Sequence, residues 1–295
     1  MDVLVVGANG LLGSNVVDAC FQRDWEVSGT YHSTKPDFDA PLTQFDLEAT
    51  SWFEEILKEH DPDIVVNCAA MTDVDGCEEN PEQARTLNGE APGRLAEQCE
   101  ELGSRFVHVS TDYVFDGKAR EPYTEGAETN PVQVYGQSKL AGEHAVRDVS
   151  EDALIARLSF VYGIHRSREQ LTGFPAWVTG QIDDGSNIPL FTDQWVTPTR
   201  AGQAADTILE LVEEGVSGDY HIASTSCVTP YQFGEAITDI LGRGDALLTE
   251  GSTEDIDRTA TRPTYSCLDV GRVETTLGRS QPTLSEDLKE IRDAL

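Results

Sequence analysis

The sequence predicts an α/β fold: a doubly wound, mostly parallel sheet with a smaller C-terminal region packed over the sheet's carboxyl edge. Three observations carry that prediction. Residues 3–6 form an apolar, β-branched run ending in Gly7, and apolar residues then recur at helical spacing over 11–21, which reads as strand, glycine turn and helix. Short buried-strand runs follow at Glu26–Tyr31, 64–68, 105–110 and Leu154–Leu158, separated by helical stretches at 51–59, 94–102 and Val134–Val149. After about residue 160 the pattern loosens, although 201–214 and 231–241 still read as amphipathic helices.

Composition narrows the function classes. The 295 residues carry 53 acidic and 21 basic side chains, a formal charge of −32, so nucleic acid and anionic membrane are poor partners. Only five of the basic residues are lysine, yet hydrophobic residues make up 39% of the chain, enough for a packed core and too many for a disordered acidic protein. That balance suits an intracellular protein of a salt-loving organism, because concentrated salt screens the self-repulsion. The six cysteines (Cys20, Cys68, Cys77, Cys99, Cys227 and Cys267) include no CxxC pair and are expected as free, mostly buried thiols, with no metal site. The amino terminus runs straight into an apolar strand with no basic segment before it, and no apolar run is long enough to span a bilayer, so a soluble, cytoplasmic protein is expected.

The first chemical motif is Gly7-Ala8-Asn9-Gly10-Leu11-Leu12-Gly13. Glycines at this spacing let the backbone approach a pyrophosphate, whose charge then meets the amino end of the following helix. A glycine triplet alone is often a plain tight turn. Directly after the first strand it points to a dinucleotide. The second strand ends Gly29-Thr30-Tyr31-His32-Ser33-Thr34-Lys35, with no carboxylate before Asp37 to hold a ribose diol. NADP(H) is therefore favoured over NAD(H), and His32, Ser33 and Lys35 are candidate donors to a 2′-phosphate.

Tyr135-Gly136-Gln137-Ser138-Lys139 opens a helix, where a separation of four puts the phenol and the ammonium on one face. A nearby cation favours phenolate and is expected to lower the tyrosine pKa toward neutrality, making it a proton donor and acceptor. The run 107–117, VHVSTDYVFDG, ends a strand with two hydroxyls, Ser110 and Thr111, at the edge where a doubly wound sheet presents ligand-binding groups. Either hydroxyl could hydrogen-bond a carbonyl under reduction. His108 is expected only to pack.

Taken together, these residues resemble the extended short-chain dehydrogenase/reductase family, and more closely its dTDP-4-dehydrorhamnose reductase branch. The resemblance spans nearly the whole chain. It includes 66–75 (VNCAAMTDVD) with Cys77-Glu78 and Pro81, the STDYVFDG string at 110–117, Arg157 to Gly163, Asp193-Gln194 with Pro198-Thr199, Tyr220-His221-Ile222-Ala223, and Arg262-Pro263 with Ser266 and Leu268.

The resemblance implies an NADP-binding Rossmann domain over 1–160, with part of 193–222 returning to it, and a substrate-binding region over 161–295. It makes Thr111 the hydroxyl that polarises a keto oxygen, Tyr135 the general acid, and Lys139 the residue that charges the tyrosine and holds the nicotinamide ribose. Gly7, Asn9, Gly10, Leu11, Leu12, Gly13, Tyr31, His32, Ser33, Asp46, Leu47, Cys68, Ala69 and Ala70 would line the cofactor, Asp46 capping the adenine amino group. Val74, Ser110, Asp112, Tyr113, Phe160, Phe174, Gln194 and Arg262 are the candidates for the sugar nucleotide. Phe160 occupies a place where the branch commonly carries tryptophan, which opens the identity of the sugar.

The implied activity is NADPH-dependent reduction of the 4-keto group of a nucleotide-linked 6-deoxy sugar, dTDP-4-dehydrorhamnose to dTDP-L-rhamnose, with NAD(H) as the alternative coenzyme and homodimerisation left open. Within enzymes the alternative is an epimerase or dehydratase of the same superfamily. A dehydratase would be expected to carry a glutamate beside the Thr111-type hydroxyl, where this chain has Asp112-Tyr113. The rival of another class is a non-catalytic NADP-binding subunit like the partner of methionine adenosyltransferase. Retention of Thr111, Tyr135 and Lys139 argues against it.

Overall fold

The structure, a computed structural model, describes residues 1–295. Its strands are β1 (Asp2–Val6), β2 (Glu26–Tyr31), β3 (Leu42–Gln44), β4 (Ile64–Asn67), β5 (Arg105–Thr111), β6 (Leu154–Leu158), β7 (Val161–His165), β8 (Gln170–Thr172), β9 (Ile188–Phe191), β10 (Thr199–Arg200), β11 (Gly218–His221) and β12 (Leu248–Gly251). The helices are α1 (Leu11–Gln22), α2 (Phe53–His60), α3 (Val74–Glu79), α4 (Pro81–Ala84), α5 (Ala91–Leu102), α6 (Val134–Val149), α7 (Phe174–Asp183), α8 (Ala201–Glu213), α9 (Pro230–Leu241), α10 (Gly271–Leu277) and α11 (Leu284–Glu290).

Seven strands form one parallel sheet in the order β11-β6-β5-β4-β1-β2-β3, a Rossmann sheet with one added strand at its far edge. Both faces are covered, and β1 displays this through its alternation. Val3 and Val5 pack among residues of α1 and α8, while Leu4 and Val6 pack among residues of α2, α5 and α6. The register aligns Val6 with Asn67, Asn67 with His108, and His108 with Ile155, so the carboxyl ends of β1, β4, β5 and β6 open on one edge.

Past β6 the chain bends out of this sheet at Ser159 and Phe160. Phe160 takes φ +46°, a left-handed conformation that is strained for a bulky side chain. Beyond it, β7 pairs with β8 and β10, and β9 pairs with β12. A separate core of Tyr162, Val178, Ile188, Phe233, Ile237 and Leu288 lies among these elements. The chain then recrosses: α8 covers α1 on one face, and β11 pairs with β6 at residues 154–157.

Four cysteines are free, as expected, but Cys227 and Cys267 form a disulfide across 40 residues, with Cα atoms 5.6 Å apart. This corrects the expectation of free thiols throughout. The pair is brought together by a segment between them in space: Val196 bridges Val228, and Trp195 bridges Tyr265. Spacing along the chain carries no trace of that arrangement. No helix is long and apolar enough to cross a membrane.

Candidate active site

A cleft of about 990 Å³ opens at the carboxyl edge of the sheet, where the strand order reverses between β1 and β4. Its floor at one end is the glycine turn. Gly7 adopts φ +86°, and a Cβ on Gly13 would lie 2.2 Å from the Gly7 carbonyl oxygen, so the strand and helix can meet this closely only without side chains. The Gly7 amide donates to Thr30 Oγ1 at 3.2 Å, tying the turn to β2. Gly10 precedes α1 in an extended conformation, and the first turn of α1 carries no acidic residue. Its amide dipoles therefore face the cleft without a competing carboxylate, which suits a pyrophosphate.

Asn9, Leu11, Leu12, Tyr31, His32, Ser33, Asp46, Leu47, Cys68, Ala69 and Ala70 all line the same cleft. His32 Nε2 stands 3.9 Å from the Asp46 carboxylate, both exposed, and Asp46 Oδ1 accepts the Glu48 amide at 2.9 Å. Lys35 is exposed and off the wall. Burial pushes the Cys68 thiol up to about 12, so it lines the cleft as an unreactive group.

The reactive end gathers Ser110, Thr111, Asp112, Tyr113, Tyr135, Val74 and Phe160. Thr111 Oγ1 donates to Asp112 Oδ1 at 3.0 Å and accepts the Tyr113 amide at 3.2 Å. Ser159 Oγ donates to the other Asp112 oxygen at 2.8 Å. Burial lifts the Asp112 carboxyl to about 6, against the lowering effect of the Ser266, Ser159 and Thr111 hydroxyls. The Tyr135 phenol neighbours Thr111. Burial raises its pKa, Thr111 opposes that weakly, and the Asp112 charge adds to the rise.

That direction corrects the expectation of a lysine-lowered tyrosine. Lys139 is 2% exposed, its ammonium donates to the Val109 carbonyl at 2.6 Å, and its Nζ lies 3.3 Å from His108 Nε2. The cation is committed to the β5 backbone while the phenol sits among buried groups and a carboxylate. Burial in turn lowers the Lys139 ammonium to about 8, with Glu143 and Cys68 pulling it back up. His108 bridges Asn67, 3.3 Å away, and Lys139. It packs as expected, and it also touches the lysine.

One turn beyond Lys139, Glu143 is fully buried and accepts from Ser110 Oγ at 2.6 Å and from Arg157 at 2.7 and 2.9 Å. This locks α6 to β5 and β6, and thereby the start of α6 to the cleft.

Four expected site residues stand behind the wall. Lys139 lies under it. Phe174 backs Phe160, with ring centroids 5.5 Å apart. Gln194 is buried and reaches the Tyr113 phenol, and Arg262 is paired with Asp75 at 2.7 Å. Thr72, Gln83, Leu87 and Val196 line the cleft and were not singled out. Thr72 was visible inside the VNCAAMTDVD string, whereas Gln83 comes from the single turn of α4 and Leu87 from the π-helical turn that follows it, neither of which an apolar period announces.

The RmlD substrate binding domain model matches residues 1–295. The chain is 55% identical to the "Probable low-salt glycan biosynthesis reductase Agl14" of Haloferax volcanii over 295 residues, all of this chain and 98% of that protein. It resembles the crystal structure of a dTDP-4-dehydrorhamnose reductase from Clostridium acetobutylicum, with TM-score 0.88, 31% identity and 99% of both chains covered. A dTDP-4-dehydrorhamnose reductase from Bacillus anthracis, solved in complex with NADP, matches with TM-score 0.86 and 25% identity over 98% of this chain and 97% of that one. A glycine turn, a hydroxyl pair and a buried lysine on a Rossmann sheet thus coincide with a match along the whole length, and the chain belongs to the RmlD substrate-binding family of sugar-nucleotide reductases.

Proposed function

We propose that this protein is an NADPH-dependent reductase of the 4-keto group of a nucleotide-linked 6-deoxy sugar, converting dTDP-4-dehydrorhamnose to dTDP-L-rhamnose, with NADH the alternative coenzyme. The observation that carries the reading is the pair of hydroxyls, Thr111 and Tyr135, at the reactive end of the cleft, the Tyr135 phenol being kept protonated by burial. Reduction needs a donor that holds its proton until the carbonyl oxygen becomes basic, and this tyrosine does.

The cleft residues fit a dinucleotide: Gly7, Gly10 and Gly13 would receive the pyrophosphate, His32 and Ser33 the 2′-phosphate, and Cys68, Ala69 and Ala70 the flat underside. A nicotinamide coenzyme, when bound, supplies a hydride to the sugar C4. Tyr135 Oη gives its proton to the developing alkoxide, Thr111 Oγ1 hydrogen-bonds the same oxygen, and the Lys139 ammonium is held under the cleft wall by the Val109 carbonyl. The bond formed at carbon is C–H, the bond formed at oxygen is O–H, and the tyrosine is reprotonated from solvent.

The test follows NADPH consumption with dTDP-4-dehydrorhamnose in molar KCl. Tyr135→Phe should still bind NADPH and lose about two to four orders of magnitude in turnover. Unchanged turnover in that variant would refute the catalytic assignment. A wild type inert toward every 4-keto sugar nucleotide would favour the non-catalytic subunit. Titration of both coenzymes should find NADPH bound at least as tightly as NADH.

A further inference from the structure

β7 leaves the reactive end of the cleft, where Phe160 and Val161 line the wall, and four residues on it reaches the glycine turn. Its last residues meet the turn and α1 at successive points. The Ile164 carbonyl accepts Asn15 Nδ2 at 2.9 Å, His165 Nε2 lies 3.0 Å from the Asn9 carbonyl oxygen, and the Arg166 amide donates to Ser14 Oγ at 3.2 Å. Ser14, Asn15 and His165 are all buried.

Only the second of these bonds falls on the turn itself. A carbonyl only accepts, so His165 Nε2 carries the hydrogen and donates it to Asn9. Nδ1 of the same ring is buried and finds no partner in the protein. Burying an idle ring nitrogen is unfavourable, and an apolar side chain would avoid it, so the bond to Asn9 is what the imidazole contributes here.

That bond holds the peptide joining Asn9 to Gly10. The other side of the same peptide is held as well, the Gly10 amide donating to the Gly7 carbonyl at 3.0 Å. The carbonyl and amide of a trans peptide point in opposite directions, so the two bonds together fix its plane. Without the imidazole the plane can rotate about ψ of Asn9 and φ of Gly10, and a glycine offers little resistance. Asn9 and Gly10 both line the cleft, so an oxygen released there stands beside the first amides of α1 and repels a pyrophosphate.

We propose that His165 is a positioning residue for the dinucleotide, holding the Asn9 carbonyl out of the phosphate site. It has this role only if the cleft takes a dinucleotide, as proposed above. The phosphate turn is then finished by a strand that follows the bend at Phe160, and coenzyme binding depends on a residue beyond the first six strands.

Equilibrium titration of the full chain with NADPH, NADH and 2′-AMP in molar KCl tests this without turnover. Both coenzymes carry the pyrophosphate, whereas 2′-AMP carries only the 2′-phosphate. His165→Leu should weaken NADPH and NADH by the same factor, about tenfold, and leave 2′-AMP unchanged. His165→Gln returns an N–H donor at similar reach and should recover most of the affinity, which guards against a folding defect in the leucine variant. In the turnover assay KM for NADPH should rise in His165→Leu while KM for the sugar nucleotide and kcat hold. Unchanged coenzyme affinity in the leucine variant would overturn the proposal. So would a loss shared by 2′-AMP, which would mark His165 as a support of the whole cleft, or a glutamine variant no better than leucine. A wild type that binds neither coenzyme would remove the dinucleotide reading and this assignment together, whereas coenzyme binding with no dependence on His165 would remove this assignment alone.

Discussion

Thr111 donates its hydroxyl to the carboxylate of the residue that follows it, Asp112, at 3.0 Å, and both side chains are buried. An ionised Asp112 keeps that proton for itself, so Thr111 can offer the substrate only its lone pairs. A protonated Asp112 becomes a donor in its turn and releases the Thr111 proton toward the keto oxygen.

Reduction should therefore accelerate as pH falls through about 6, the value to which burial lifts Asp112. Asp112→Asn mimics the neutral form, so its kcat profile should be flat across pH 5 to 7 and within about tenfold of the wild type. A wild-type profile with no inflection in that range would dissociate the carboxyl from Thr111. The stability effect has a definite sign too. Because the folded value lies above the ordinary 3.8, Asp112 supports the fold fully below about pH 4, and that support disappears as pH rises through about 6.

Lys139 has the opposite linkage. Burial lowers its ammonium from 10.5 to about 8, so its contribution to stability is present above pH 10.5 and lost as pH falls through 8. Lys139→Met relieves a buried cation and should melt no lower than the wild type at pH 7, with the difference shifting toward the wild type as pH rises to 10. The same substitution should cut turnover by about two orders of magnitude or more. Melting curves at three pH values, together with one turnover assay, check both halves.

The Cys227–Cys267 disulfide closes a 40-residue loop, for which chain entropy alone gives a stabilisation of about 2–4 kcal/mol. Cys267→Ser should lower the melting temperature, and dithiothreitol should lower that of the wild type while leaving the variant unchanged. Ser266 is adjacent to Cys267 and near Asp112, so the variant should also shift the pH dependence of turnover. A reductant-insensitive wild type would show that the two sulfurs are unbonded in solution.

Salt should act on the whole molecule. At −32 the repulsive charge pairs outnumber the attractive ones, and the Debye length shrinks from about 10 Å at 0.1 M to about 3 Å at 1 M. Screening thus removes more repulsion than attraction, although exposed pairs such as Arg85–Glu82 weaken as well. The melting temperature should climb steeply between dilute and molar KCl.

The cofactor half of the molecule was legible because its signals are local. Gly7, Gly10 and Gly13 follow a strand directly, and β2, β6 and α6 fall on the runs that periodicity marks. Leu42–Gln44 escaped because two half-buried residues and an exposed one make no pattern, yet they complete the sheet edge. The tyrosine was found and its pKa direction was not. Helical spacing puts Tyr135 and Lys139 on one face, but it says nothing of Val109, whose carbonyl takes the ammonium. The disulfide partners owe their positions to loops that meet only in three dimensions. Residues acting through such contacts have no signature along the chain.

The return of the chain to its first sheet bears on how the protein is made. When the ribosome has finished β6, α1 still lacks α8 against its apolar face, and the outer edge of β6 lacks β11. About sixty more residues must be added before both arrive, roughly 3 to 12 seconds at 5–20 residues per second. For that interval an open strand edge and an uncovered helix face are both available to other nascent chains. Emergence of residues 201–221 therefore sets the earliest moment at which the cleft can exist, and fragments cut near residue 160 should be found with chaperones or in aggregates rather than as free nucleotide binders.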